Sequence, residues 1–359
     1  MNIDLLVVGG GPAGLMAALE AAEYGVNVAI VEESSRLGGQ LRQQTQYLSP
    51  LPSGIGEIRG FELANELVEA VTFNKHIVTY TNHTVIGLYE DGSVGINNGK
   101  EIIRCETKKI SVATGADIQG VLFPGWTLPG VLTVGAAQIL VNRERVKPGN
   151  EAFIVGSSDF SIEVALQLYD VGINVLGIVE TETSLHDRKQ ENLYRLKEKN
   201  IPILENSYIE QAKGRGQVEK VILNQNGNKE EYDVDLICVD GGLNPVIELC
   251  QLYNCSFAFN EILGGWLPTY QANFETSTDG VFIAGNTAGI TNQGAVMVTG
   301  KLAGLGAAES LGNVPEQAAD VWRNNYWSEL AKLENYQVNE ARTCHIQNFE
   351  TSKTKVYET

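Results

Sequence analysis

From Ile3 to Glu33 the chain reads IDLLVVGGGPAGLMAALEAAEYGVNVAIVEE. The continuous apolar run Leu5 to Val8 predicts a strand buried on both faces, and the alanine-rich stretch beyond the glycines predicts a helix packed on it. Between them Gly9, Gly11 and Gly14 satisfy G-x-G-x-x-G, and Glu32 closes the next apolar strand. Each position has a physical task. Gly9 permits the tight turn, Gly11 lets the backbone come close to a pyrophosphate, and Gly14 lets helix and strand pack, while the helix N-terminus favours the anion. Glu32 can accept hydrogen bonds from ribose hydroxyls. The context therefore predicts an α/β fold with a dinucleotide site at this turn.

A later segment repeats the logic with altered chemistry. FIVGSSDFSIEVALQLYDVGINVLGIVE, Phe153 to Glu180, has a buried strand, a turn at Gly156, a helix and a second strand ending at Glu180. Ser158 takes the place of the second glycine and Ser161 that of the third. Serine at the third position is small enough to be tolerated. At the second, a left-handed conformation would cost about 1 to 2 kcal/mol, and about 1.4 kcal/mol is a decade of affinity. The Ser158 hydroxyl could instead bond a phosphate, so both outcomes stay open at this point. Glu180 favours a free 2′-hydroxyl over a 2′-phosphate, which makes NAD(H) the expected nicotinamide cofactor, with another adenine nucleotide as the alternative.

Distant segments speak together with the first. RLGGQL brings Gly38 and Gly39 into reach of a cofactor, SVATGA (Ser111 to Ala116) reads as a strand and turn, and TSTDGVFIAGNTAGITNQGAVMVTGKLAGLGAAESLG supplies a strand, the Gly285-Asn286 turn and a helix of small residues. In this combination the chain resembles the flavoproteins with two dinucleotide-binding domains, the thioredoxin reductase-like superfamily. The resemblance covers nearly the whole chain. It implies two Rossmann-like domains, the second inserted into the first, with FAD in the first. It also implies FAD contacts at Gly9, Gly11, Pro12, Ala13, Gly14, Glu32, Gly39 and Gln40, at Val85 through its backbone, at Thr114 and Gly115, and at Gly285, Asn286, Gly294 and Ala295. A second nucleotide would lie at Gly156, Ser158, Ser161 and Glu180. Asn286 stands where the superfamily usually has Asp, which keeps hydrogen bonding and removes a negative charge.

A narrower likeness rests on GGQLRQQTQYL, FPGWTLPGVLTVGAAQILVNRERVKPG, VDLICVDGGLNPVIELC and AGNTAGI. These are similar to the A, or alpha, flavoprotein subunits of bacterial amino-acid and amine dehydrogenases, among them hydrogen cyanide synthase, opine oxidase and proline or hydroxyproline dehydrogenases. The resemblance implies a second flavoprotein subunit that oxidises the amine, and a small iron-sulfur protein, as partners; a homo-oligomer is the alternative. Many such subunits carry a cysteine-rich iron-sulfur segment near the C-terminus. Here that region holds only Cys344 beside His345, whereas a cluster needs about four cysteines. No metal is expected.

The 5 cysteines include no C-x-x-C pair. A thioredoxin reductase needs adjacent redox sulfurs, and Cys250 and Cys255 in ELCQLYNCSF read as packing residues. A formal charge of -18 argues against nucleic acid and anionic membrane surfaces. Cysteine usage and the lack of a targeting or spanning segment point to the cytoplasm. His76 and His83 have no partner motif and read as surface or packing residues, and His186 lies in a charged stretch that reads as a solvated helix. The catalytic residues stay unassigned, because a flavin accepts a hydride directly and the protein's work is orientation.

The expected organisation is an FAD domain from 1–120 and 266–312, an NAD(P)-binding-like domain at 121–265, and a helical extension and tail at 313–359, its end flexible after Asn339. TLPGV, VKPGN and EILGGWLP mark the crossings. On the extension, Trp322, Tyr326, Trp327 and Leu330 share one side and cap the chain's own core or meet a partner. The function expected is that of an electron-transferring or nucleotide-binding A-type dehydrogenase subunit. The alternatives are a stand-alone NADH-dependent reductase and a non-catalytic nucleotide-binding scaffold.

Overall fold

The computed structural model describes residues 2–182 and 189–357, and side chains over 3–182 and 189–349. His186 lies outside the described residues. The chain packs as two units: residues up to Asp117 together with those from Asn244 onward, and Ile118–Leu243.

The first unit opens with β1 (Asn2–Val8), α1 (Pro12–Glu23), β2 (Val28–Glu32), α2 (Gly60–Thr72), β3 (Ile77–Thr81), β4 (Thr84–Leu88), β5 (Val94–Asn97) and β6 (Ile102–Val112). Their sheet runs β3-β2-β1-β6-β5-β4. The first four strands of that order are parallel, and β4 and β5 return antiparallel along the early part of β6. Leu5, Leu6 and Val7 of β1 have no exposure, as a strand covered on both faces requires.

The chain leaves this unit at β7 (Ala116–Ile118) and builds β8 (Val131–Thr133), α3 (Val134–Gln138), β9 (Glu151–Val155), α4 (Asp159–Asp170), β10 (Asn174–Val179), α5 (Gln190–Glu198) and β11 (Ile203–Leu204). The antiparallel β12 (Ser207–Lys213), β13 (Lys220–Gln225) and β14 (Asn228–Asp233) then precede β15 (Leu236–Val239). The main sheet, β11-β10-β9-β15-β8, is parallel throughout. Its order β11-β10-β9-β15 repeats β3-β2-β1-β6, so the second unit is a second dinucleotide-type fold.

After β16 (Leu243–Pro245) come α6 (Glu248–Leu252), the hairpin β17 (Phe257–Asn260) and β18 (Gly265–Pro268), then β19 (Val281–Ile283), α7 (Gln293–Ser310), α8 (Glu316–Leu333) and α9 (Tyr336–Tyr357). The first unit resumes at Asn244, well before the boundary expected at 266. The reason is burial: Leu249, Cys250, Cys255, Leu263 and Leu267 all enter the core formed by β1, α1 and α7. β19 adds to the sheet beside β6. The small residues of α7 have a steric purpose, since a Cβ on Gly300 would stand 2.3 Å from the Ala13 carbonyl oxygen and one on Gly304 2.4 Å from that of Ala17.

The tail departs from expectation. It forms α9 instead of a flexible end, because Ala341, Arg342, His345, Ile346 and Phe349 are buried. On α8, Leu330 is fully buried, the Trp327 indole donates to the Ala272 carbonyl, and the Tyr326 hydroxyl donates to the Glu20 carboxylate. Those three cap the chain's own core, while Trp322 remains half exposed. Among the described residues no helix is long and apolar enough to cross a membrane, and no group of three or more His, Cys, Asp or Glu side chains is placed to hold a metal ion.

Candidate functional site

At the first turn, the glycines do what their positions require. Gly9 has φ +106°, and a Cβ there would stand 2.3 Å from the Ala113 carbonyl oxygen. A Cβ on Gly14 would stand 1.9 Å from the Gly9 oxygen, so the helix can approach the turn only with glycine there. Gly11 differs: an added Cβ would meet only the Gly39 Cα, at 3.8 Å. Its neighbourhood is open on the side where α1 begins. Gly11 is the N-cap of α1, no side chain caps that end, Pro12 occupies the first turn, and no acidic residue sits there. The early N–H groups of α1 are therefore left for an incoming anion.

Glu32 is fixed from two sides. One carboxylate oxygen accepts from the Gly10 N–H at 2.8 Å and the other from the Ser34 N–H at 2.9 Å. The Glu32 carbonyl accepts from the His83 N–H, which leads into β4, where Val85 pairs with Ile96. Gly39 has φ +52°, and a Cβ on it would press within 2.7 Å of the Gly11 Cα. Gln40 is exposed, its side-chain oxygen accepting from Gln43.

The SVATGA and AGNTAG segments meet through a residue the sequence did not single out. Thr287 Oγ1 accepts from the Gly115 N–H at 3.0 Å and lies 3.3 Å from Thr114 Oγ1, which itself donates to the Val246 carbonyl. Thr287 is fully buried. The Gly285 N–H donates to Thr299, and the Asn286 side-chain oxygen accepts from the Thr291 N–H. Gly294 and Ala295 lie in the first turn of α7, capped by Asn292, and a Cβ on Gly294 would stand 2.5 Å from the Pro50 oxygen. A hydroxyl bridging two loops more than 170 residues apart in sequence carries no motif, so only packing reveals it.

At the second turn Glu180 repeats the setting of Glu32, its carboxylate accepting from the Ser157 N–H at 3.1 Å and the Ser157 hydroxyl at 2.6 Å. These bonds and those from Thr181 and Glu182 outweigh burial and hold its pKa below the usual carboxylate value. Ser158 corrects the expectation of strain. Its φ is -58° and ψ 158°, extended as an N-cap requires, and its hydroxyl accepts from the Ser161 N–H. Both serine hydroxyls reach the Asp240 carboxylate, at 2.5 and 2.6 Å.

Residues 3–314 match the family model described as pyridine nucleotide-disulphide oxidoreductase. The chain belongs to that family. As a member it is an FAD-dependent oxidoreductase, and the open N-terminus of α1, the fixed Glu32 and the Gly11–Gly39 approach fit a dinucleotide at the first turn. Among curated relatives, the opine oxidase A subunit of Agrobacterium tumefaciens is 28% identical over 88% of this chain and 67% of its own length. The hydrogen cyanide synthase subunit HcnB of Pseudomonas protegens is 27% identical over 93% of this chain and 76% of its own. Among solved structures, L-proline dehydrogenase from P. horikoshii superposes with TM-score 0.73 at 24% identity, covering 92% of this chain and 59% of that one. The chain thus spans little more than half of that structure's length.

The cysteines include no C-x-x-C pair, yet the fold brings Cys250 and Cys255 together. Cys250 and Cys255 are buried in the first unit's core, the Cys255 N–H donating to the Cys250 carbonyl at 3.0 Å. Their thiols are hydrogen-bonded to each other, which raises the pKa of Cys250 and lowers that of Cys255. Cys255 also lies 3.3 Å from the Thr276 hydroxyl. His83 is bonded to the Thr81 carbonyl at 2.7 Å.

Proposed function

We propose that this chain is the FAD-bearing A-type subunit of an amino-acid or amine dehydrogenase. A second flavoprotein subunit oxidises the amine, and electrons pass through the FAD of this chain to a small iron-sulfur protein. The observation that carries this reading is the likeness to proteins named as subunits, over 88% and 93% of this chain and 67% and 76% of theirs.

Bound FAD supplies an acceptor for an electron pair. The chain supplies binding and orientation. Gly9, Gly11, Pro12, Ala13 and Gly14 present the α1 N-terminus to the pyrophosphate, and Glu32 accepts from ribose. Val85 meets the adenine through its backbone beside the His83–Glu32 bond, with Gly39 and Gln40 beyond. Thr114 and Gly115, held by Thr287, face Gly285 and Asn286, and Gly294 and Ala295 close the flavin end. Thr287 fixes two loops at once, so it positions the site without needing to touch the cofactor.

The test is purification of the native complex. We expect a second flavoprotein subunit to co-purify, and dye reduction by amino acids or amines to require both chains. A protein that runs without partners and is bleached rapidly by NADH would instead establish the stand-alone reductase. That second reading draws on Glu180, whose carboxylate is held by a turn N–H as that of Glu32 is.

A further inference from the structure

The two turns share their backbone hydrogen bonds and their closest approaches. The Gly9 N–H donates to Val31 and the Gly156 N–H to Val179, both at 2.9 Å. The Ala113 N–H donates to Val8 and the Asp240 N–H to Val155, both at 2.8 Å. A Cβ on Gly9 would meet the Ala113 oxygen at 2.3 Å, and one on Gly156 the Asp240 oxygen at 2.4 Å. Asp240 is thus the counterpart of Ala113, Ser158 of Gly11 and Ser161 of Gly14. Where the first turn has a methyl group and two glycines, the second has a carboxylate and two hydroxyls.

These three groups satisfy one another. Each serine hydroxyl has a single proton to donate, and both protons go to the same Asp240 oxygen. The other Asp240 oxygen accepts from the Gly242 N–H at 3.0 Å. The Ser158 oxygen also caps α4 through the Ser161 N–H at 3.0 Å. Neither hydroxyl keeps a proton for a phosphate, and Asp159 adds another carboxylate to the first turn of α4. Charge therefore accumulates where the first turn leaves an open, uncapped helix end.

We propose that Asp240 is the specificity-determining residue of the second nucleotide site, weakening ligands that place a pyrophosphate at the N-terminus of α4 relative to those that present only a nucleoside. Like charges a few ångströms apart repel, and the serine hydroxyls that could offset the repulsion are already committed. The Glu180 carboxylate accepts from the Ser157 and Thr181 hydroxyls, which ribose hydroxyls can replace one for one, so the sugar end of the site is retained while the phosphate end is held closed. This inference rests on reading residues 118–243 as a nucleotide-binding unit, and it accords with the subunit reading more than with a reductase driven by NADH.

The experiment uses the full FAD-loaded chain and titrates adenosine, ADP-ribose and NADH by calorimetry, so that no amine-oxidising partner is needed. Asp240→Ala should tighten ADP-ribose and NADH by about tenfold or more and leave adenosine unchanged. Asp240→Asn keeps the side chain's shape and an acceptor for the serines while removing the charge. It should reproduce most of the gain, and it serves if the alanine variant does not fold. Equal gains for adenosine and ADP-ribose would overturn the proposal, as would no gain in either variant. Absence of binding by all three ligands in every protein would overturn it too, while leaving the subunit reading to its own test by co-purification.

Discussion

Arg342 of α9 and Glu334, just past α8, form an ion pair with no solvent exposure on either side chain, Nη2 to Oε1 at 2.7 Å. The guanidinium has further duties. Its Nη1 donates to the Tyr270 hydroxyl and to the Ala288 carbonyl, both at 2.7 Å, and Tyr270 donates to the same carbonyl at 2.8 Å. Ala288 follows Asn286 and Thr287 in the segment proposed to help hold FAD. The terminal helix therefore holds that segment from behind.

Removing one partner of a buried pair leaves the other charge without compensation, at a cost of about 3 to 5 kcal/mol. Arg342→Met should lower stability by that order in denaturant titration and loosen FAD, read as a lower ratio of flavin to protein absorbance. Arg342→Met combined with Glu334→Leu should recover part of the stability, because no buried charge is then stranded. A single variant as stable as the parent would show that the pair carries no weight.

The glycines of the first turn should separate binding from folding. Gly11 has room for a methyl group as far as the chain itself is concerned, whereas a Cβ on Gly14 collides with the Gly9 oxygen at 1.9 Å. Gly11→Ala should weaken FAD by about tenfold or more with little change in the melting temperature of the FAD-free protein, and Gly11→Val should empty the site. Gly14→Val should lower the melting temperature of the FAD-free protein itself. Full flavin occupancy in Gly11→Val would remove the pyrophosphate from this turn.

Thiol reactivity should follow burial more than pairing. Cys344 is exposed, and Cys105, Cys238, Cys250 and Cys255 are buried. Burial pushes the Cys238 thiol up to about 12. In the folded protein an aromatic disulfide reagent should find one fast thiol, and the remaining four only after unfolding. Two fast thiols lost together on mild oxidation would assign redox work to Cys250 and Cys255.

Much of this was legible in the chain because local chemistry dictated it. The apolar run Leu5–Val8, the glycines at 9, 11 and 14 and the carboxylate of Glu32 lie within one segment, and each follows from a single steric or electrostatic demand. The repeat at Gly156 was equally readable as a fold. What escaped were groups whose meaning depends on partners far along the chain. Asp240 stands in the quoted run VDLICVDGG, yet nothing local says that its carboxylate reaches Ser158 and Ser161. Arg342 sits in a polar stretch that looked flexible, and its burial depends on Glu334, Tyr270 and Ala288. Ser158 misled for another reason. The expectation assumed a left-handed backbone at the second glycine position, but Gly11 itself is extended there, with φ -76° and ψ -179°, and serine adopts such a conformation without cost.

The docking of α9 should also depend on pH through His345. The ring is buried, its Nε2 lies 3.0 Å from the Pro268 carbonyl, and it packs 5.1 Å from the Tyr270 ring. Burial lowers its pKa below the usual histidine value; the Pro268 carbonyl opposes that, and the nearby Arg342 charge adds to it. The folded protein therefore resists taking up this proton while the unfolded chain accepts it near pH 6.5. Below that point the unfolded state binds more protons, so stability falls as pH drops through about 6.5 until the folded pKa is reached, and the term vanishes above about pH 7.5. His345→Gln keeps an N–H for the Pro268 carbonyl and has no proton to gain. Melting curves between about pH 5 and 7.5 should show a shallower acid-side loss in the variant than in the parent, with the two converging near neutrality. Parallel curves across that range would show that His345 is already free to ionise in the folded state, and that α9 is not packed as its buried side chains require.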